Sequence, residues 1–268
     1  MSEISDFETI QLDIDVAGVA LLTLDRPNAA NTINATMAAE LRVAAIWLTH
    51  NRVARSILVQ SKGPVFCGGG DLRAFAACPN DRLPDYLEGI AVDFHAALAR
   101  FARMQAPVVV AVTGSTGGAG MSLVAACDLV VAGESSTFTM GYTKAGISPD
   151  GTSSFFLARC VGLRRATDLV LTNRVLSAAE AEDWGLVNRV VPDASVRDEA
   201  YALAAALAGG PTTAFGLAKR ALIEGAASTL EAAMERESRF VGLVARTDDI
   251  GEGIEAFLQK RPPQFEGV

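Results

Sequence analysis

The chain has 268 residues, with 23 lysines and arginines against 31 aspartates and glutamates, a formal net charge of −8, and half of its residues apolar. That length and apolar content suit a folded α/β protein with a large core and exclude a disordered, collagen-like or mini-protein scaffold. The acidic balance argues against a nucleic-acid-binding surface, so no nucleic-acid partner is expected.

Residues 1–10 carry Glu3, Asp6 and Glu8 and neither a basic segment nor an apolar run, so no secretory signal or transit peptide is expected. Val19 to Asp25, Ser56 to Gln60, Val108 to Val112 and Leu129 to Ala132 are short β-branched runs that predict strands. Between them, Met37, Leu41, Ala44, Ala45 and Leu48 recur at helical spacing, as do Leu87, Ile90, Phe94, Leu98 and Phe101, so each set predicts an amphipathic helix with one buried stripe. The most apolar stretch, Pro107 to Ala132, is broken by the glycine-rich residues 113–118 and by Asp128, too often for a membrane span. After Val191-Pro192-Asp193 strand signals stop, and alanine-rich sequence leads to helical patterns over Thr229 to Ala245 and Glu252 to Lys260. The expected organisation is an α/β core over residues 1–195 and a helical region over 196–268. Cys67, Cys78, Cys127 and Cys160 show no CxxC spacing, and His50 and His95 stand alone. Reduced thiols in a cytoplasmic protein, without a metal site, are the expectation.

Two glycine-rich turns carry the first functional signal. Phe66-Cys67-Gly68-Gly69-Gly70-Asp71-Leu72 follows a strand-like stretch, and Gly114-Ser115-Thr116-Gly117-Gly118-Ala119-Gly120 joins a strand to a helix near Met121. Unpaired amides at a helix start can hold an anion or a polarised carbonyl oxygen. Either turn alone is better explained by a tight bend or close packing that needs glycine. Neither matches a nucleotide-binding motif.

Together the turns resemble those of the crotonase (enoyl-CoA hydratase/isomerase) superfamily. Leu24 to Asn31 is similar to its LxRPxxxN start, FCGGGDL to its FCAGxDL, AVTGSTGGAG to its AVNGxAxGGG, Ala181 to Val187 to its AxxxGLV and Glu252 to Arg261 to its EGxxAFxxKR ending. The resemblance implies an α/β spiral of ββα units with a C-terminal helical trimerisation region, a homotrimer or dimer of trimers, and acyl-CoA substrates in which CoA is part of the substrate and no separate cofactor is needed. It implies that the Gly70 and Ala119 amides hold the thioester oxygen as it becomes an enolate. It also implies that Arg26, Ala30, Gly68, Asp71, Leu72 and Arg73 lie beside the CoA, with Phe257 and Lys260 near its adenosine end.

The chain departs from the hydratases of that family where they carry two glutamates: here stand Ser122 and Tyr142. A hydroxyl without a base and a phenol are poor proton acceptors at neutral pH, which disfavours hydration. Asp150, in Gly146-Ile147-Ser148-Pro149-Asp150-Gly151, precedes a predicted helix over Phe155 to Val161. An aspartate there serves most simply as a helix cap. Other branches of the family, the Δ3,Δ2-enoyl-CoA isomerases and ring-opening isomerases, carry a carboxylate in this loop as proton shuttle. The Asp150 loop, His95 and Leu171-Thr172-Asn173-Arg174 also resemble the 4-chlorobenzoyl-CoA dehalogenase branch. In that branch the matching Asp attacks the ring, the matching His activates water, a Trp stands at the position of Tyr142 and an aromatic residue at that of Gly70. The expected catalytic set is therefore Asp150, Gly70 and Ala119, with His95 and Tyr142. An isomerase is weighed above a dehalogenase or a non-catalytic acyl-CoA binder.

Overall fold

The computed structural model describes residues 6–267, so the reading of residues 1–5 lies outside the described residues. β1 (Ile10–Ile14) and β2 (Val19–Leu24) form an antiparallel hairpin. α1 (Ala35–His50) follows, its first turn closed by the Asn34 side chain, which accepts from the Met37 amide at 2.9 Å. Such a cap contributes about 1 kcal/mol.

Three ββα units come next: β3 (Ser56–Ser61) and β4 (Val65–Cys67) with α2 (Leu72–Ala77) and α3 (Leu83–Arg103); β5 (Val108–Val112) and β6 (Ser115–Gly117) with α4 (Ala119–Ala126); β7 (Leu129–Gly133) and β8 (Thr137–Thr139) with α5 (Ser153–Val161). After them run α6 (Leu163–Thr172), β9 (Leu176–Ser177), α7 (Ala178–Asp183), β10 (Arg189–Val191) and then α8 (Val196–Ala208), α9 (Thr212–Gly225), α10 (Leu230–Val244) and α11 (Asp248–Gln259). In every unit the two strands part. The first joins a six-stranded sheet ordered β1-β2-β3-β5-β7-β10, and the second joins a four-stranded sheet ordered β4-β6-β8-β9. Strands repeating this step pair in parallel, giving the α/β spiral of ββα units that the resemblance implied.

The strand run Val108 to Val112 is apolar throughout because both of its faces are covered. On one side Met37, Leu41 and Leu48 of α1 and Phe94, Leu98 and Phe101 of α3, the stripes read from the sequence, fill the main core. On the other, Val196, Ala200, Ala204 and Ala208 of α8 pack on Val19, Leu58, Val109 and Val131. The helix just past residue 195 therefore forms part of the sheet's covering, and α8 packs across the boundary expected there. α9 is tied to the sheet by Lys219, whose Nζ lies 2.6 Å from Asp128 and donates to the carbonyls of Phe101 and Ala106, while Asp128 accepts the Val108 amide. Among the described residues no helix is long and apolar enough to cross a membrane, and no group of three or more His, Cys, Asp or Glu side chains is placed to hold a metal ion.

Candidate active site

The two glycine turns meet backbone to backbone. Gly69 adopts φ +103°, and a Cβ on it would stand 3.1 Å from the Gly117 carbonyl; a Cβ on Gly118, at φ +48°, would stand 3.3 Å from Gly69 Cα. A side chain at either place would be crowded and would strain the backbone conformation. The first turn hangs on Ile33, whose N–H donates to Gly69 O at 2.8 Å and whose carbonyl accepts from Asp71 N at 3.0 Å. In an extended segment alternate peptides face opposite ways, so the Gly70 amide between those two bonds points away from Ile33. Ala119 opens α4, where an amide has no partner within the helix. Among the described residues neither amide donates to a carbonyl. The sequence placed the second turn directly between a strand and a helix; the structure inserts the three residues of β6, which fix the turn in the small sheet.

Both amides border a cavity of about 170 Å3. Its apolar wall comes from Phe75, Leu87, Ile90, Phe94 and Ile147, and among the described residues Asp150 is the single carboxylate lining it. Phe75 is held edge-on by Tyr86, their ring centroids 6.3 Å apart.

Asp150 is not a helix cap. The cap position of α5 is Thr152, whose side chain makes no capping bond, and the Asp150 carboxylate instead accepts from Tyr142 Oη at 2.5 Å. Burial first, and then the charge of Asp150, push the Tyr142 phenol above its ordinary value, so it keeps its proton and donates it. Ser122, wholly buried on α4, lies 3.0 Å from Tyr142 Oη and 3.0 Å from the Asp150 carbonyl oxygen, between which it shares its hydroxyl proton. The two positions that depart from the hydratase pattern are thus joined in one chain that ends on Asp150. His95 does not touch the cavity. Its Nε2 accepts from the Gly151 amide at 2.9 Å, so the nitrogen that would act as a base is already engaged.

Of the residues expected beside CoA, Arg26 and Asp71 pair with each other at 2.9 Å. Arg26 also donates to the Thr32 carbonyl, and Asp71 caps α2 by accepting from Ala74 N at 3.1 Å. Burial opposes the Asp71 charge, but the Ala74 amide and the Arg26 guanidinium outweigh it and hold the carboxyl below its usual range. Ala30 sits at φ +51° with its carbonyl accepting from Gly68 N at 2.8 Å. Leu72 lines the cavity mouth, and Arg73 is exposed next to it. Phe257, 82 % exposed, and Lys260, at the end of α11, line no part of this cavity; Phe257 borders a separate apolar groove along α11. Ile33, Phe75 and Ile147 line the cavity without having been singled out from the sequence. Ile147, three residues before Asp150, is the one whose position could have given it away.

Two amides without a carbonyl partner bordering an apolar cavity, with a carboxylate in its lining, are groups able to hold a polarised oxygen and move a proton beside it. Residues 15–268 match the enoyl-CoA hydratase/isomerase family, and the chain belongs to that family, the crotonase superfamily. It is 36 % identical over 250 residues to the 1,2-epoxyphenylacetyl-CoA isomerase of Escherichia coli K12, covering 93 % of this chain and 95 % of that one. It is also 36 % identical over 220 residues to 4-chlorobenzoyl coenzyme A dehalogenase-2 of an Arthrobacter species, covering 82 % and 80 %. The solved enoyl-CoA hydratase of Bacillus anthracis superposes with a TM-score of 0.91 at 28 % identity, covering 97 % of this chain and 100 % of that one.

Proposed function

We propose that this chain is an enoyl-CoA isomerase in which Asp150 shifts a double bond by moving one proton. The carrying observation is that, among the described residues, Asp150 is the single carboxylate lining the cavity that the Gly70 and Ala119 amides also border. The thioester carbonyl of a 3-enoyl-CoA accepts from both amides. Asp150 takes a proton from C2, the electron pair passes to the oxygen as an enolate, and the protonated acid returns the proton to C4. Amides fixed before the reaction stabilise charge that appears only in the transition state, so they lower the barrier rather than merely bind substrate. CoA arrives and leaves as part of the substrate, and this scheme uses no separate cofactor. Ser122 and Tyr142 supply no carboxylate to activate water, which supports isomerisation over hydration.

A panel of 3-enoyl-CoA thioesters followed by mass spectrometry in deuterated water tests the reading. Turnover with deuterium entering the product is expected, and Asp150→Asn should remove about 10³-fold or more of it. If 4-chlorobenzoyl-CoA is hydrolysed instead and ¹⁸O from labelled water enters Asp150 after one turnover, the carboxylate is a nucleophile and the isomerase reading is wrong. Binding of every ester without turnover would leave an acyl-CoA binder.

We also propose that the protein is a homotrimer or a dimer of trimers in the cytoplasm. Support comes from exposed apolar side chains on α10 and α11, among them Met234, Val241, Ile254, Phe257 and Leu258, and from the four free thiols. Light scattering at micromolar concentration should give three or six copies; a stable monomer contradicts it.

A further inference from the structure

We propose that His95 is a positioning residue for Asp150, a latch on the peptide that carries the carboxylate, released when the imidazole takes a proton. This rests on the reading of Asp150 as the proton-transfer group. The peptide between Asp150 and Gly151 is held at both ends. Its N–H donates to His95 Nε2 at 2.9 Å, and its carbonyl accepts from Ser122 Oγ at 3.0 Å and from Ser153 N at 3.2 Å. Tyr142 holds the side chain of the same residue at 2.5 Å.

The latch has something to restrain. Gly151 lies at φ +61°, and the next residue, Thr152, also lies at φ +61°, a left-handed pair of which only the first is glycine. A peptide followed by glycine turns over with little steric resistance, and such a turn would carry the Asp150 carbonyl away from Ser122. No side chain can fill the place, because a Cβ on Gly151 would come 2.7 Å from both Phe94 and Ser122. Hydrogen bonds therefore set the orientation, and His95 supplies the one at the amide end.

His95 is also the partner that can stop accepting. Neutral imidazole accepts at one ring nitrogen, whereas imidazolium donates from both, so protonation sets an N–H against the Gly151 N–H. Ser122 and Tyr142 have no comparable change at the same pH. The surrounding charges are engaged elsewhere. One turn away on α3 stand Ala91, Val92, Leu98 and Ala99, and Asp93 pairs with Arg42 of α1 at 2.7 Å. α1 also brings Glu40, which accepts from Thr9, and His50, bonded to the Ile46 carbonyl. α4 carries no charged residue, while α9 brings Lys219, paired with Asp128, and Arg220 and Glu224, paired with each other. On α5, Arg159 donates to the Phe155 carbonyl. Asp150 is left as the charge across Gly151 from the imidazole. His95 is exposed, so solvent reaches it without passing through the cavity.

With two histidines in the chain, ¹⁵N-histidine labelling reads the latch directly. At neutral pH, long-range ¹H–¹⁵N spectra should show His95 with its proton on Nδ1 and Nε2 bare; a proton on Nε2 overturns the proposal whatever the reaction is. Turnover of trans-3-hexenoyl-CoA between pH 5 and 9 then separates roles. His95→Ala should lower kcat by about 10- to 100-fold with KM little changed, the scale of a slightly misplaced catalytic group. His95→Gln, whose amide oxygen accepts at any pH, should recover most of that loss and abolish the part of the acid limb that wild type owes to His95. If Gln is as damaging as Ala, or leaves the acid limb unchanged, His95 is not a latch. If wild type fails to turn over the ester, the isomerase reading falls and the spectra still decide the latch.

Discussion

On the Gly70 and Ala119 side of the cavity the groups proposed to act are backbone amides, held by glycines packed on glycines within neighbouring turns. On the Asp150 side they are side chains gathered from distant parts of the chain: Ser122 on α4, Tyr142 and Asp150 on the loop after β8, and His95 on α3. A backbone cradle has the same chemistry whatever surrounds it, so it can serve any reaction that passes through an enolate or a related oxyanion. In the proposed reaction the side-chain wall decides where protons go. Relatives named isomerase, dehalogenase and hydratase at about one-third identity fit that division, since one family holds several chemistries.

Among changes that leave Asp150 itself in place, altering the cradle should have the largest effect. Gly118→Ala puts a side chain on a residue at φ +48° with Gly69 Cα 3.3 Å from its Cβ, which displaces the Gly70 and Ala119 amides from each other. Turnover should fall by about 10²- to 10³-fold, the cost of losing one oxyanion donor, while the circular dichroism of the folded protein stays the same. If activity survives, the amides do not hold the oxygen.

Around Asp150 the supporting side chains should yield more gradually. Tyr142→Phe removes the donor to Asp150 and leaves its other restraints, so kcat should fall by about 10-fold, close to the worth of one hydrogen bond to a charged group. The phenol also leaves a pH signature. Because the folded state raises its pKa, the stability it contributes is present below the unfolded value of about 10 and is lost as pH rises beyond it. Urea denaturation from pH 8 to 11 should show wild type weakening at the alkaline end and Tyr142→Phe weakening less; identical slopes would mean the phenol is not buried against Asp150.

Asp71 should matter least to turnover. Its carboxyl is held below the usual range, so its contribution is present above the unfolded value near 4 and vanishes as pH falls through the lower folded value. Asp71→Asn should cost about 1 kcal/mol at neutral pH through the lost Arg26 pair, and part of the cap survives because asparagine also caps. An effect confined to KM would mean that Asp71 touches CoA instead.

The same division explains what could be read in advance. The buried strands β2, β3, β5 and β7 and the stripes of α1 and α3 show as apolar runs or helical periods over five residues or more. The small sheet does not, because β4, β6, β8 and β9 have three residues or fewer, too short for any alternation to register. Glycine turns announce themselves, and Asp150 and His95 were legible by resemblance. The bond between Ser122 and Tyr142 was not: Ser122 read as a missing glutamate and Tyr142 as another or as the counterpart of a Trp, and nothing in a sequence says that residues 20 apart share a proton. The pairing of Arg26 with Asp71, 45 residues apart, was hidden for the same reason.

Lys219 and Asp128, the pair that fastens α9 to the sheet, carry a consequence for how this chain changes over generations. Both side chains are largely shielded from water, so replacing one strands the other as an unmatched buried charge, which typically costs about 3–5 kcal/mol, whereas exchanging both for apolar residues of similar volume is often neutral. The carbonyls of Phe101 and Ala106 and the amide of Val108, which now rely on the pair, would also need new partners. Single steps away from this arrangement are thus steeply downhill, and the two positions drift together or not at all.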